Sequence, residues 1–285
     1  MKIIIEPTTK KEKYENVDGL LLSLKDYSVQ SGRYYTLEEI KEIKKNNDLE
    51  IFISMNKNFM NEEIESVKEV LLEIDKLGVT GILFYDVALL QLKKEYNLKT
   101  DLVWASTYMV NNTKTCDYYY NKGVKYALLG KEITLEEIKE IIRDSSITSM
   151  VEVVGLPSVA FSKRKLITNF YSDLGKDSKD TIEVEEKVTG DTYEVKEDQN
   201  GTNFYLKKIV NGTVVIKDLF EVNTPYIILK EFGIDSNDFE ELVSDTKKYI
   251  EGNCQDENYI EKQKKFGDFT NFFFKKTIYK VKKNG

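Results

Sequence analysis

Short apolar runs alternate with amphipathic stretches over the first 155 residues. The runs fall at Lys2–Ile5, Gly19–Leu24, Glu50–Met55, Gly81–Tyr85, Leu102–Ala105, Val124–Leu129 and Ser149–Val154. Each has the length of a strand and the continuous apolar character of one buried on both faces. Helical patterns lie between them. Thr36-Leu-Glu-Glu39 and Thr134-Leu-Glu-Glu137 read as capping boxes, opening runs that place Ile40 and Ile43, or Ile138, Ile141 and Ile142, on one face. Asn61–Leu77 carries Ile64, Val67, Val70, Leu71, Ile74 and Leu77 at helical spacing, and Gly78 suits the residue just past its end.

Strand and helix repeating with short connections predict a parallel sheet. An eighth strand is expected at Tyr226–Leu229, followed by a helix over Asn237–Ile250. Eight such units predict a closed (β/α)8 barrel, with an open doubly wound sheet as the alternative. Between strands seven and eight the periodicity changes. Thr181–Val188, Thr192–Glu197, Thr202–Val210 and Val214–Leu219 alternate apolar and polar residues, separated by Thr189-Gly190, Asn200-Gly201 and Asn211-Gly212. These predict an antiparallel β insertion before the last barrel strand. The expected organisation is strands one to seven with their helices in 1–155, a signature loop and β insertion in 156–222, the last strand and helix in 223–252, and a tail in 253–285 ending in a strand.

Composition narrows the chemistry. With 41% hydrophobic and 32% charged residues, the 285-residue chain reads as an ordinary globular protein. No apolar run approaches the ~20 residues that span a bilayer, and Met1–Glu6 is too short for a signal peptide, so a cytoplasmic protein with no membrane partner is expected. Histidine is absent, which excludes Ser-His-Asp and Cys-His catalysis and histidine-ligated metal. Cys116 and Cys254 are the two cysteines, too few for a four-thiolate site, and no cofactor is expected. The net charge of −7 and pI near 5.1 argue against a default nucleic-acid binder. One basic, aromatic stretch, Phe272–Lys283, reads as an amphipathic strand rather than an RNA contact.

Residues 152–171 resemble the signature of peptidase family U32, the collagenase-like peptidases. Glu152, Gly155, Ala160, Ser162 and Arg164 stand where that signature puts them, and Phe161 replaces its Tyr. Val154, Ser158 and Lys165 occupy the positions of its His and two Cys. Further pieces are similar: the Gly19–Ser28 opening, Ile53-Ser-Met-Asn56, Tyr85-Asp86-Val-Ala-Leu-Leu90, Ala105–Asn111, Leu129-Gly-Lys-Glu132 and Glu197-Asp-Gln-Asn-Gly-Thr202. The family's last barrel strand ends in Lys-Ile-Glu-Gly-Arg; here Leu229-Lys230 stands alone, without the acidic residue. The resemblance covers roughly residues 2–250.

In a barrel, chemistry sits at the C-terminal ends of the strands. The matching residues there are Lys25, Asn56, Asp86, Ser106, Glu132 and Glu152. Asp86, Glu132 and Glu152 are the candidate acid–base set. Lys25, Asn56 and Ser106 are candidate ligand-binding residues, together with Ser158 and with Arg164, suited to an anion or carboxylate. A nucleophilic Ser158 would need Lys163 or Lys165 as its base.

The resemblance implies three readings. Several family members are associated with tRNA hydroxylation or related hydroxylations. In those the signature cysteines hold an iron–sulfur cluster, and some members act as paired subunits. A chain without those cysteines would then serve as partner subunit to a cysteine-complete homologue, reaching tRNA through the complex, or serve a cluster-independent step. The alternatives are a peptidase, as the family name implies, or a ligand-binding barrel without catalysis.

Overall fold

Eight parallel strands close on themselves because each βα unit brings the chain back beside its predecessor. A computed structural model of the chain describes residues 1–106, 109–131, 133–188 and 190–267. The barrel strands are β1 (Lys2–Glu6), β2 (Gly19–Ser23), β3 (Glu50–Met55), β4 (Gly81–Phe84), β5 (Asp101–Trp104), β6 (Tyr126–Leu128) and β7 (Thr148–Gly155). After a long excursion the chain returns as the last one, β13 (Tyr226–Lys230), which inserts between β7 and β1. Pairing of β6 with β7 completes the ring. Among the described residues no helix is long and apolar enough to cross a membrane.

Two apolar layers follow from strand alternation. Ile4, Leu21, Phe52, Leu83, Val103, Tyr126, Met150, Tyr226 and Ile228 pack together inside the barrel. Their odd neighbours, such as Ile3, Ile5, Ile51 and Ile53, join the helices in the outer core. The lower end of the interior is plugged by Phe52, Tyr126 and Tyr226, whose rings meet edge to face with centroids 5.6–5.9 Å apart.

The helices form where their caps were legible. Thr36 and Thr134 each make both halves of a capping box, opening α1 (Leu37–Asn46) and α5 (Leu135–Asp144). α2 (Ile64–Leu77) is preceded by a 3-10 turn at Asn61–Glu63 and stops at Gly78, which adopts φ +62°. α3 (Ala88–Glu95) and α4 (Thr113–Asn121) complete the set between β4 and β6.

The insertion is a separate antiparallel sheet in the order β8-β11-β10-β9: β8 (Ser158–Ser162), β9 (Thr181–Glu185), β10 (Thr192–Asp198) and β11 (Gly201–Leu206). Between β8 and β9, α6 (Leu166–Asp173) packs on the sheet. Its first turn is held by Glu197, whose Oε2 accepts from Ile167 N at 2.8 Å, and by Thr202 Oγ1, which accepts from Leu166 N at 3.0 Å. Asn203 Oδ1 accepts from Gln30 N at 3.0 Å, and Asn200 Nδ2 donates to the Ser28 carbonyl at 3.2 Å. Tyr205 meets Phe232 edge to face at 4.9 Å. The sheet is thereby fastened across the barrel mouth, to the loop after β2 on one side and to the residues after β13 on the other.

Two expectations fail in the insertion. Val214–Leu219 is not a strand: Thr213–Val215 is a 3-10 turn and Ile216–Glu221 is helix α7. Its buried residues Val215, Ile216 and Leu219 are spaced for one helical face, and burial on that face outweighs the β-branched run. Thr202–Val210 divides as well, because β12 (Val210–Asn211) leaves the insertion and pairs antiparallel with β7. β13 leads into α8 (Ser236–Ile250), and α9 (Asp256–Gln263) follows. The closing strand expected in the tail lies outside the described residues.

Candidate functional site

The mouth is lined by the last inward-facing residue of each strand. Ile4, Phe52, Met150 and Ile228 point into the barrel, so alternation sends Glu6, Ser54, Glu152 and Lys230 the same way. β7, β13 and β1 are neighbours in that order. Their register pairs Lys230 with Glu6 directly and sets Glu152 opposite Ile228, just before an irregularity in the ladder. A lysine is thus placed between two carboxylates from the strands on either side.

The geometry is that of a buried ionic chain. Lys230 Nζ lies 3.0 Å from Glu6 Oε2 and 3.0 Å from Glu152 Oε2. Lys131, in the loop after β6, brings its Nζ to 2.8 Å from Glu152 Oε1, and Ser31 Oγ donates to Glu6 Oε1 at 2.9 Å. The Glu152 and Glu6 side chains are 9% and 10% exposed, whereas that of Lys131 is 30% exposed and forms the solvent side of the chain. Burial raises the pKa of Glu152, but the ammoniums of Lys131 and Lys230 outweigh it and hold the carboxyl at about 2. Burial likewise opposes the charge on Lys230, yet Glu152 and Glu6 hold it above the usual lysine range. Loss of hydration pushes Lys131 below that range, with Glu152 offsetting part of the effect and Lys230 adding repulsion.

Beside this chain is a cavity of about 50 Å³ that reaches Lys131, Glu152, Ser158, Lys230, Asn56 and Phe232. Ser158, the first residue of β8, borders the cavity, and its Oγ is buried without a hydrogen-bond partner. Gly155 is required by the same packing. A Cβ there would stand 2.9 Å from Lys230 Cβ and 3.3 Å from its Cγ, so only glycine lets the Lys230 side chain cross β7.

The other expected site residues are placed differently. Asn56 borders the cavity, but its amide is spent on Val29, accepting from N at 2.8 Å and donating to O at 3.0 Å. Asp86 ties loops together: Oδ2 accepts from Phe59 N and Oδ1 from Ala88 N, each at 2.9 Å, at the start of α3. Ser106 is half-buried and does not border the cavity. Lys25 and Arg164 are exposed. The backbone of Arg164 is fixed by Ser162 Oγ and Thr202 Oγ1 while its guanidinium faces solvent. Lys165 Nζ donates to the Asp198 carbonyl. Glu132 lies outside the described residues. Glu152, Asn56 and Ser158 are therefore brought together, joined by Glu6, Lys131 and Lys230, which the sequence reading left out of the site.

The family model for peptidase family U32 matches residues 11–231. The chain belongs to peptidase family U32. Among curated U32-like relatives, tRNA hydroxylation protein P2 of Bacillus subtilis (strain 168) is 25% identical over 172 residues, covering 59% of this chain and 54% of that protein. tRNA hydroxylation protein P1 of the same organism is 22% identical over 156 residues, covering 53% of this chain and 37% of that one. The chain thus spans about half the length of P2 and less of P1. A U32 peptidase of solved structure aligns at 16% identity with a TM-score of 0.45, covering 54% of this chain and 69% of that one.

The iron–sulfur cluster that the family resemblance implies does not fit here. The two signature thiol positions hold Ser158 and Lys165, a hydroxyl and an ammonium. Of the two cysteines, Cys116 is buried in α4 with its thiol pushed up to about 12 by burial, and Cys254 lies in the segment before α9. Among the described residues no group of three or more His, Cys, Asp or Glu is arranged to hold a metal ion.

Proposed function

We propose that this protein is a non-proteolytic U32 subunit that assists hydroxylation-type modification of tRNA, working beside a cysteine-complete family member that carries the cluster. The observation that carries this reading is the state of the signature carboxylate. Glu152 is locked between Lys131 and Lys230 and ionised down to about pH 2, so it is no general acid or base near neutrality. Asp86 is likewise committed to backbone N–H groups. A site whose carboxylates are consumed by ion pairs and loop ties favours binding or scaffolding over peptide hydrolysis. The names of the relatives P1 and P2 supply the tRNA context.

Two measurements test the reading. Nucleoside mass spectrometry of bulk tRNA from a deletion strain should lose a hydroxylated pyrimidine that the restored gene returns. Affinity purification of the chain should bring down a cysteine-complete U32 homologue. An unchanged nucleoside profile rejects the reading and leaves a ligand-binding barrel.

A further inference from the structure

We infer that the insertion sheet is a hinged lid over the barrel mouth, swinging as one unit about the neck that joins it to β7 and β12. The inference goes beyond the tRNA reading and does not depend on it.

Three observations lead there. The first is the attachment. Strands β8 to β11 pair with one another and with no barrel strand. The chain leaves the barrel at Gly155 and returns at Val210, and these two residues are partners across β7 and β12. On the sheet side of the neck, Leu206 N donates to the Pro157 carbonyl at 3.0 Å. Two connections running side by side between those contacts make one hinge line, with residue 156 and residues 207–209 to take up the backbone rotation.

The second is what the sheet does not share with the barrel. Its buried apolar side chains among the described residues are Ile167, Val195 and Tyr205. None of them belongs to either apolar layer of the barrel, so a swing leaves both layers intact. What opening gives up is the packing on Phe232, where the Tyr205 ring lies at 4.9 Å and Lys196 Nζ at 4.6 Å from the ring centre.

The third is the latch. Three strands round the ring from the neck, polar contacts hold the sheet to the loop after β2. To the bonds of Asn203 with Gln30 and of Asn200 with Ser28 is added Gln199 Nε2, which donates to Asp26 Oδ1 at 3.2 Å. Water replaces such bonds at small net cost. Closure also leaves Ser158 Oγ buried without a partner and holds Gln30 at φ +61°, left-handed backbone that disfavours a side chain with a Cβ. A small separate core behind a polar latch marks a segment that opens at less cost than global unfolding. The closed mouth offers about 50 Å³, room for on the order of four waters at roughly 10–15 Å³ each, so any larger occupant requires the open state.

The test is thiol labelling of the full chain carrying Cys254→Ser and Ser158→Cys. Cys116 is buried in the outer core, so its reaction with a nitroaromatic disulfide reports opening of the barrel, while the thiol introduced at position 158 reports the lid. The introduced thiol should react roughly tenfold or more faster than Cys116, yet far more slowly than a thiol on an unfolded peptide. Its rate should also depend less steeply on urea. Asn203→Ala should speed it roughly fivefold, the effect of one net hydrogen bond, and leave Cys116 unchanged. Amide exchange of the parent separates a swing from local melting. The Gln30 N–H should exchange at the opening free energy that the thiol reports, and the β10–β11 ladder more slowly. The same comparison carries the test alone where Ser158→Cys does not fold. Reaction of both thiols at one rate, reaction at the unprotected rate, no effect of Asn203→Ala, or ladder amides exchanging as fast as Gln30 overturns the inference.

Discussion

Lys230 Nζ stands 3.0 Å from Glu152 Oε2, joining the last strand of the barrel to the strand before it. The contact is a product of register, since β13 pairs with β7 and β1 at once. It sets the energetics of the mouth, because neither carboxylate beside Lys230 has water enough to stand alone.

Lys230→Met removes the shared cation, strands the buried Glu6 carboxylate and leaves Glu152 with Lys131 alone. Breaking a buried pair from one side costs about 3–5 kcal/mol, so urea unfolding should show a loss of that order. Adding Glu6→Gln to Lys230→Met should recover part of it. A double variant as unstable as the single one would mean that the loss comes from packing of the lysine stem.

Acid should attack the same contact. The folded pKa of Glu152 is depressed from the ordinary 4.5 to about 2. Its contribution is present above about pH 4.5 and disappears as pH falls through 2, because the unfolded chain takes up the proton first. The displacement corresponds to about 3 kcal/mol. Denaturation measured from pH 6 to pH 2 should lose that much more stability in the parent than in Glu152→Gln.

Gly155→Ala should act through Lys230 rather than through the backbone. The added methyl meets the Lys230 stem at 2.9 Å, and overpacking of this kind costs roughly 1–3 kcal/mol. The ammonium is pushed from its two carboxylates, so the acid sensitivity of this variant should change as well as its melting temperature. A drop in melting temperature with an unaltered pH profile would place the damage elsewhere.

Two signature residues that look alike in the sequence should part company. Arg164→Ala removes an exposed guanidinium and should move stability by no more than about 0.5 kcal/mol. Glu152→Ala leaves Lys131 and Lys230 without their common anion and should cost about 3–5 kcal/mol. Parallel thermal melts of the two variants check the contrast.

The barrel was legible because buried parallel strands are continuous apolar runs and because Thr36 and Thr134 announce helix starts. The insertion was legible where alternation held, over Thr192–Glu197, and failed at Val214–Leu219, where the same apolar residues suit a helix face. Of the site, Glu152 and Ser158 were found through the signature. Glu6, Lys131 and Lys230 were missed, although parity carried a signal for two of them. Counting by twos from Ile4 and Ile228 reaches Glu6 and Lys230 at the strand ends, while the same count excludes Asp86 and Ser106. Lys131 had no such signal, since it lies in a loop whose path depends on the finished barrel. Nothing local in the sequence says that the insertion folds back over the mouth.

The strand that completes the barrel also sets an order of events. Residues 2–6 pair with residues 226–230, so during synthesis β1 and β7 expose unpaired edges until the whole intervening insertion has emerged. Contacts of such sequence separation form late and slowly, and open edges in the interval invite association with other chains. Until β13 arrives, Glu6 lacks the cation that permits its burial and Glu152 has Lys131 alone, which keeps the unfinished mouth hydrated. Ring closure and charge neutralisation are therefore one step, and the nascent chain gains its native mouth only when Lys230 is in place.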